Sequence, residues 1–132
     1  MKLSMSDLKN MTPVGEVLEL EYEKDYNGVA EKWELKVYPL KTQEKLEIQA
    51  LNDNLLKLSK KKELTPEEEK ELHKLNEEIN LKYAHYTMRK TMPDITEEFI
   101  KEKFPSMWFK KIFEATLKAE GINLDEIKAE KN

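Results

Sequence analysis

The chain has 132 residues, no cysteine, and a net charge of −4 from 23 lysine and arginine against 27 aspartate and glutamate residues. A chain of this length forms one domain and buries roughly two-thirds of its unfolded surface. The missing cysteines exclude disulfides and thiolate chemistry, and the evenly spread charge provides no basic arm for duplex DNA. No segment resembles a signal peptide or a membrane span, so we expect a cytosolic protein, in the host cytoplasm if the chain is viral.

Two segments of alternating apolar and polar residues flank Asn27-Gly28, a pair that favours a two-residue turn with positive φ at both positions. The pattern predicts an antiparallel hairpin in which Tyr22 faces Trp33. Its apolar side chains then share one face, which consists of Leu18, Leu20, Tyr22, Trp33, Leu35 and Val37. A lone hairpin is marginally stable in water, so we expect this face to cover the helical hairpin that follows it.

Beyond Pro39 the apolar residues recur every three or four positions, which indicates helices. Thr42 is placed to cap the first helix. Thr65, Pro66 and Glu68 have the order of a capping threonine, a first-turn proline and a capping-box glutamate, and they predict the start of the second helix. The short link between the two helices predicts that they pack side by side as an antiparallel helical hairpin.

The last third of the chain carries the signals of two shorter helices. Thr96 and Ser106 are placed to cap them, and Gly121 suits the position after a helix end. Asn123–Lys131 predicts a weak fifth helix or a frayed tail. The expected fold is an α+β domain, with an N-terminal antiparallel β-hairpin packed against four to five helices and room for a third strand near the N terminus. Its segments are an N-terminal arm (1–15), the β-hairpin (16–38), a helical hairpin (42–92), C-terminal helices (95–121) and a tail (122–132).

The sequence contains no constellation of residues suited to catalysis or to a metal. His73 and Glu77 have helical spacing, but His73 and His85 lie too far apart on one helix to share a zinc ion, which needs three or four converging ligands. Glu67–Glu69 lie in a first helical turn, where carboxylates complement the helix dipole. With 3 glycines in the chain, no phosphate-binding loop can form. We therefore expect no enzyme activity, no cofactor and no metal site.

The segment Lys82–Lys90 alternates aromatic and cationic residues, which would suit stacking on single-stranded nucleic acid. Tyr83 and Tyr86 also continue the apolar stripe of the second helix, and that stripe predicts core packing with the hydroxyl groups at its edge. The core interpretation is favoured, so we do not expect nucleic acid as the main partner.

Met107-Trp108-Phe109 places three bulky apolar residues in succession at the start of the last helix. Because successive helical residues are about 100° apart, the three side chains cannot all face one core. Phe109 continues with Ile112 and Phe113 into the inward stripe, which leaves Met107 or Trp108 at the flank. Either this helix is buried on both sides within one chain, or its flank contacts another subunit or a partner.

The order of these elements resembles the tail assembly chaperones of long-tailed phages and related proviruses. The similarity lies in Trp33–Thr42, where a strand runs through a proline-containing turn into a helix, and in the segments Ile95–Phe99 and Phe109–Ile122. The resemblance implies a non-enzymatic chaperone that binds the tape-measure protein and the tail-tube subunit during tail morphogenesis. On this interpretation the partner-binding side chains are Phe99, Phe104, Met107 and Trp108.

Two other hypotheses are left open by the sequence. The helical hairpin could serve as an adaptor that dimerises through its leucine and isoleucine stripe, namely Leu51, Leu55, Leu72, Leu75 and Ile79. A small nucleic-acid-binding regulator would instead use the segment Lys82–Lys90. A homo-oligomer is also possible, because the edge of the β-hairpin could extend a sheet with a second subunit.

Overall fold

The computed structural model describes residues 2–122, and they form an α+β fold that is mainly helical, as predicted. A two-stranded antiparallel hairpin near the N terminus is followed by four helices and preceded by a short one. The elements are α1 (Met5–Asn10), β1 (Glu16–Tyr22), β2 (Glu31–Val37), α2 (Thr42–Ser59), α3 (Pro66–Met88), α4 (Glu97–Lys103) and α5 (Ser106–Ala119). The helix or tail predicted for Asn123–Lys131 lies outside the described residues.

The hairpin forms over the predicted strands, but its register differs from the prediction by two residues. Trp33 faces Leu20, whereas the prediction paired it with Tyr22. A shift of two residues keeps every side chain on the same face, so the alternating pattern does not distinguish the two registers. In the observed register the like-charged residues Glu19 and Glu34 face each other. The predicted apolar face is confirmed, and the predicted register is wrong.

The turn of the hairpin lies two residues before the predicted position. Asp25 and Tyr26 are its central residues, with φ of 48° and 56°, and the amide N–H of Asn27 donates across them to the carbonyl of Lys24 over 3.1 Å. The side chain of Asn27 accepts a hydrogen bond from the amide of Val29 over 2.9 Å. Asn27 and Gly28 therefore belong to the loop that leads back to β2, and the predicted two-residue turn at these positions does not form.

Helix α5 lies between the β-hairpin and α3, because it packs against both strands and against α3. The buried residues of this main core come from both strands and three of the helices, and they are Leu20, Leu35, Val37, Ala84, Met88, Ile100, Phe104, Ile112 and Ala115. The sheet therefore covers α5. The expectation that it would cover the whole α2–α3 hairpin is corrected, since α5 occupies most of that face.

The capping signals locate the helices to within one residue. The side-chain oxygen of Thr65 accepts from the amide of Glu68 over 3.1 Å in a complete capping box at the start of α3, as predicted. Thr96 caps α4 through its side-chain oxygen, which accepts from the amide of Phe99 over 3.1 Å. Thr42 and Ser106 were predicted as caps, but each is the first helical residue, with Lys41 and Pro105 in the cap positions.

The N-terminal arm contains a short helix where the sequence had suggested room for a third strand. Helix α1 begins with a capping box between Ser4 and Asp7, and the backbone hydrogen bond from Ser4 lowers the pKa of the Asp7 carboxyl. Within residues 2–122 the sheet has two strands, so the third strand does not form there. Every residue from 2 to 14 is exposed. The arm therefore stands away from the core, and the fold proper begins at Gly15, where an added Cβ would lie 2.9 Å from the ring of Tyr38.

Candidate partner-binding surface

The structure divides the four predicted partner-binding residues into two pairs. Phe99 on α4 and Met107 on α5 are exposed, at 50% and 64% of their maximal surface. Phe104 is buried at 9% and belongs to the main core, and Trp108 is half-buried against the same core. Of the four side chains, Phe99 and Met107 are therefore the most open to a partner.

Phe104 and Trp108 form an aromatic cluster that joins the helices to the hairpin. The ring centroids of Phe104 and Trp108 lie 5.2 Å apart in an edge-to-face arrangement, and Phe109 lies 6.2 Å from Phe104. On its other side Trp108 packs against Trp33 of β2 with a centroid distance of 6.2 Å. Aromatic pairs in these geometries stabilise a fold beyond the area they bury. Trp108 therefore packs α5 against the β-hairpin.

A groove of about 390 Å³ opens between α3, α4 and α5, next to the aromatic cluster. Its apolar lining consists of Leu81, Phe104 and Phe109. The polar residues around these three are Lys74, Glu77, Glu78, Asn80, Lys101 and Ser106. A concave apolar surface with a charged edge is the kind of site that accepts an amphipathic helix. Sequence reasoning missed this groove because it combines residues of three helices.

The charged residues at the edge of the groove have no partner inside the described part of the chain. Within residues 2–122, none of Lys74, Glu77, Glu78 and Lys101 forms an ion pair. On α3, Lys74, Glu77, Glu78 and Leu81 follow a helical spacing of three and four residues, so they form one stripe. This spacing is the sequence signal that could have indicated the α3 side of the groove.

A second concavity, of about 310 Å³, lies between the start of α2 and the end of α3 and is strongly polar. At its base Glu44 is buried and accepts hydrogen bonds from Arg89 over 2.7 Å, from Lys90 over 3.0 Å and from the amide of Lys41 over 2.8 Å. Burial disfavours the charged form of Glu44, but these hydrogen bonds outweigh it and lower the pKa of the carboxyl. The bonds tie α2 to α3, so the carboxylate has a structural role.

The aromatic residues of the segment Lys82–Lys90 pack inside the fold. Tyr86 is buried, the guanidinium of Arg89 lies 4.4 Å from its ring centre, and its hydroxyl donates to Glu47. Burial, with the hydrogen bond to Glu47, raises the pKa of Tyr86 to about 12. Tyr83 packs edge-to-face on Phe113 over 5.0 Å. Both tyrosines therefore pack as the apolar stripe predicts, and neither offers the open face on which a base could stack.

The histidines lie apart, as their spacing indicates. His73 is exposed, whereas His85 is half-buried with its Nε2 3.1 Å from the carbonyl of Ile95 and its Nδ1 3.7 Å from Glu97. Residues 2–122 contain no group of three or more histidine or carboxylate residues that could hold a metal ion. In the same part of the chain, no helix combines the length and the apolar character needed to cross a membrane.

The leucine stripe proposed for an adaptor lies mainly at the contact between α2 and α3. Leu75 is buried, and the other members of the stripe are half-buried, namely Leu51, Leu55, Leu72 and Ile79. On each helix, most of this stripe therefore packs against the other helix of the same chain. What stays accessible is the outer edge of the stripe.

No protein-family model, no curated protein and no solved structure matches this chain.

Proposed function

We propose that this protein is a non-enzymatic assembly chaperone that binds apolar helical segments of phage tail proteins, namely the tape-measure protein and the tail-tube subunit. The resemblance in element order, in Trp33–Thr42 and in the segments around α4 and α5 supports this proposal. So does a surface on which large apolar side chains stand among many charged ones, since charged residues make up 38% of the chain. Such a surface can hold an aggregation-prone helix and stay in solution.

The observation that carries the proposal is the exposure of Phe99 and Met107 on the two helices that meet at Phe104-Pro105. The side chain of Phe99 is 50% exposed, and that of Met107 is 64% exposed. Neither belongs to the buried core, so the fold gains nothing evident from an aromatic ring and a thioether at these positions. Binding surfaces concentrate their energy in a few such aromatic and methionine anchors.

Capture of a tape-measure segment by the purified protein tests the proposal. The double variant Phe99→Ser with Met107→Ser is expected to bind the segment about tenfold more weakly or worse, because each anchor loses its apolar contact. Its free energy of unfolding in urea should stay close to that of the wild type, since both side chains are exposed in the free protein.

A matched control removes two other exposed apolar side chains, on α2. Leu46 and Leu56 are 62% and 47% exposed, and the double variant Leu46→Ser with Leu56→Ser should keep the capture unchanged. Equal capture by a folded Phe99→Ser, Met107→Ser variant would count against the proposal. A tape-measure gene directly downstream of this one would support it, and the absence of tail genes from the neighbourhood would oppose it.

A second candidate function is a dimeric adaptor built on the α2–α3 hairpin. The half-buried state of Leu51, Leu55 and Leu72 favours it, because a second copy could cover the outer edge of their stripe. Sedimentation of the wild type and of a Leu55→Asp variant separates the two hypotheses. A dimer that the aspartate converts to a monomer, in a protein that captures no tail segment, would support the adaptor.

A further inference from the structure

Helix α4 buries little of its own surface. Of its seven residues, Ile100 is fully buried, Glu97 is half-buried and the other five are exposed. Pro93 and Pro105 stand on either side of α4, which is continuous with neither α3 nor α5. An element with so few buried apolar side chains opens from the fold more easily than the core helices do. The polar contacts between α4 and α3 therefore matter for the position of α4.

Two side chains of α3 make these polar contacts. The Nζ of Lys82 lies 2.6 Å from the Oε1 of Glu97, the first residue of α4. The Nε2 of His85 lies 3.1 Å from the carbonyl oxygen of Ile95, in the link that leads into α4. The Nδ1 of the same ring is 3.7 Å from the Oε1 of Glu97. His85 therefore stands between the link and the helix, with an oxygen atom next to each ring nitrogen.

Both ring nitrogens of His85 thus face an acceptor. Neutral imidazole carries one N–H, so either tautomer serves one of the two oxygens and directs a lone pair at the other. The Nδ1 atom is buried and forms no hydrogen bond within residues 2–122. The imidazolium has an N–H at both positions. It therefore suits the carbonyl of Ile95 and forms an ion pair with the carboxylate of Glu97.

The other charges around His85 come from α2 and α3 and are balanced. The polar concavity that His85 lines contains three more cationic residues and three carboxylates, namely Lys41, Lys82, Arg89, Glu44, Glu47 and Glu97. Arg89 is paired with Glu44, which also accepts from Lys90. Glu97 is the carboxylate in contact with the ring, and it favours the protonated form. Lys82 shares this carboxylate and acts against the protonated form.

From these contacts we infer that His85 and Glu97 form a proton-dependent clasp between α3 and α4. Histidine side chains take up or release a proton between about pH 5 and 8. With the proton bound, His85 holds the carbonyl of Ile95 and the carboxylate of Glu97 together. The closed state binds this proton more tightly than the open state does, because the carboxylate is then beside the ring. The clasp is therefore complete at the acid end of the range and is lost as the pH rises.

The clasp acts on the helix that carries Phe99, so it makes the placement of one exposed apolar side chain depend on pH. Opening of α4 also withdraws Ile100 from the main core. The inference goes beyond the proposed function and does not depend on it, because it concerns the opening of α4 in the free protein.

Amide hydrogen exchange measured by NMR tests the clasp. The amides of Ile100 and Phe104 report on α4, because they donate to the carbonyls of Thr96 and Ile100 over 3.2 Å and 2.9 Å. At about pH 5.5 they should exchange about three- to fivefold more slowly in the wild type than in His85→Gln, which takes up no proton. At about pH 7.5 the two proteins should exchange alike. Comparison at equal pH cancels the chemical dependence of exchange on pH.

Three further variants test the groups around the ring. In each protein, the exchange of the α4 amides relative to that of the α2 amides, compared between the two pH values, gives the pH response. Glu97→Gln keeps an acceptor but removes the charge, so it should abolish the response. Lys82→Met removes the cation that shares the carboxylate, so it should enlarge the response. His73→Gln, at an exposed histidine of α3, is the matched control and should respond as the wild type does.

Two results would overturn the inference. One is a His85→Gln protein whose α4 amides exchange like those of the wild type at both pH values. The other is a pH response that survives in Glu97→Gln, which would assign the proton to a different group. If His85→Gln does not fold, the comparison of the wild type with Glu97→Gln gives the same decision. None of these measurements involves capture of a tail segment, so the two proposals can fail separately.

Discussion

Trp33 of β2 and Trp108 of α5 pack against each other, with ring centroids 6.2 Å apart and ring planes tilted by 59°. This contact joins the only sheet of the described residues to the helix that separates it from α3. Phe104 closes the cluster from the other side at 5.2 Å from Trp108. The contact explains why Trp108, which the sequence places at a flank of α5, is half-buried in the folded chain.

Substitution of Trp108 by alanine should therefore destabilise the fold. We expect Trp108→Ala to lower the free energy of unfolding by about 2–3 kcal/mol, somewhat below the range for a fully buried tryptophan because the side chain is half-buried. Urea denaturation measures the change. Phe99→Ala, on an exposed side chain, should stay within about 0.5 kcal/mol of the wild type. A Trp108→Ala protein as stable as the wild type would show that the Trp33 contact contributes little.

Glu44 should make the stability depend on pH. Its folded-state pKa is lowered from 4.5, so the charged carboxylate stabilises the fold above that value, and the contribution is lost as the pH falls through the lower folded-state pKa. Glu44→Gln removes the charge that neutralises Arg89 and Lys90 and should cost about 2 kcal/mol at pH 7. Urea denaturation across a pH series should show this difference shrinking below about pH 4.

Glu102→Gln provides the matched control for that series. Glu102 is exposed on α4 and forms no ion pair within residues 2–122, so the variant should follow the wild type at every pH. A Glu44→Gln protein whose deficit stays constant from neutral to acidic pH would contradict the assignment of the effect to the charged carboxylate.

The turn of the β-hairpin can be tested by exchanging residues that have positive φ. Tyr26 has φ of 56° and is fully exposed, so Tyr26→Gly should relieve backbone strain without loss of packing and stabilise the protein by about 0.5 kcal/mol. Gly28→Ala should destabilise it by about 1 kcal/mol, because Gly28 has φ of 78°. Thermal unfolding measures both. The opposite signs would contradict the turn at Asp25 and Tyr26.

The start of α3 offers a test of capping with an internal control. Thr65→Ala removes the acceptor for the amide of Glu68 and should cost about 1 kcal/mol of stability, while Thr65→Ser should retain most of it. Thr42→Ala should have an effect within about 0.5 kcal/mol, since Thr42 is the first residue of α2 and makes no capping bond. Equal losses at Thr65 and Thr42 would contradict these assignments.

Two features of the candidate surface could not be predicted from the sequence. The aromatic-rich start of α5 predicted that Met107 or Trp108 lies at the flank of the helix, but the pattern gave no means to separate Met107, which is exposed, from Trp108, which packs on Trp33. The groove lined by Leu81, Phe104 and Phe109 was missed. Its residues belong to three helices, and no local pattern states how those helices are arranged in space.

Helix α1 was missed for a different reason. The pair Ser4 and Asp7 forms a capping box, but the usual signature has glutamate or glutamine at the second position. A helix of six residues is also too short to show a clear helical periodicity of its apolar residues. The signal was present in the sequence, although it was weak.

The sequence by itself determined the strands, the helix starts at Thr65 and Thr96 and the apolar face of the hairpin, because each depends on residues that are close along the chain. Only the tertiary structure decided the register and the layer that covers the sheet. A two-residue shift preserves the alternation of faces, so the choice between registers depends on how Leu20 and Trp33 meet α5. The choice of α5 as that layer is likewise a matter of packing between distant segments, which no local pattern encodes.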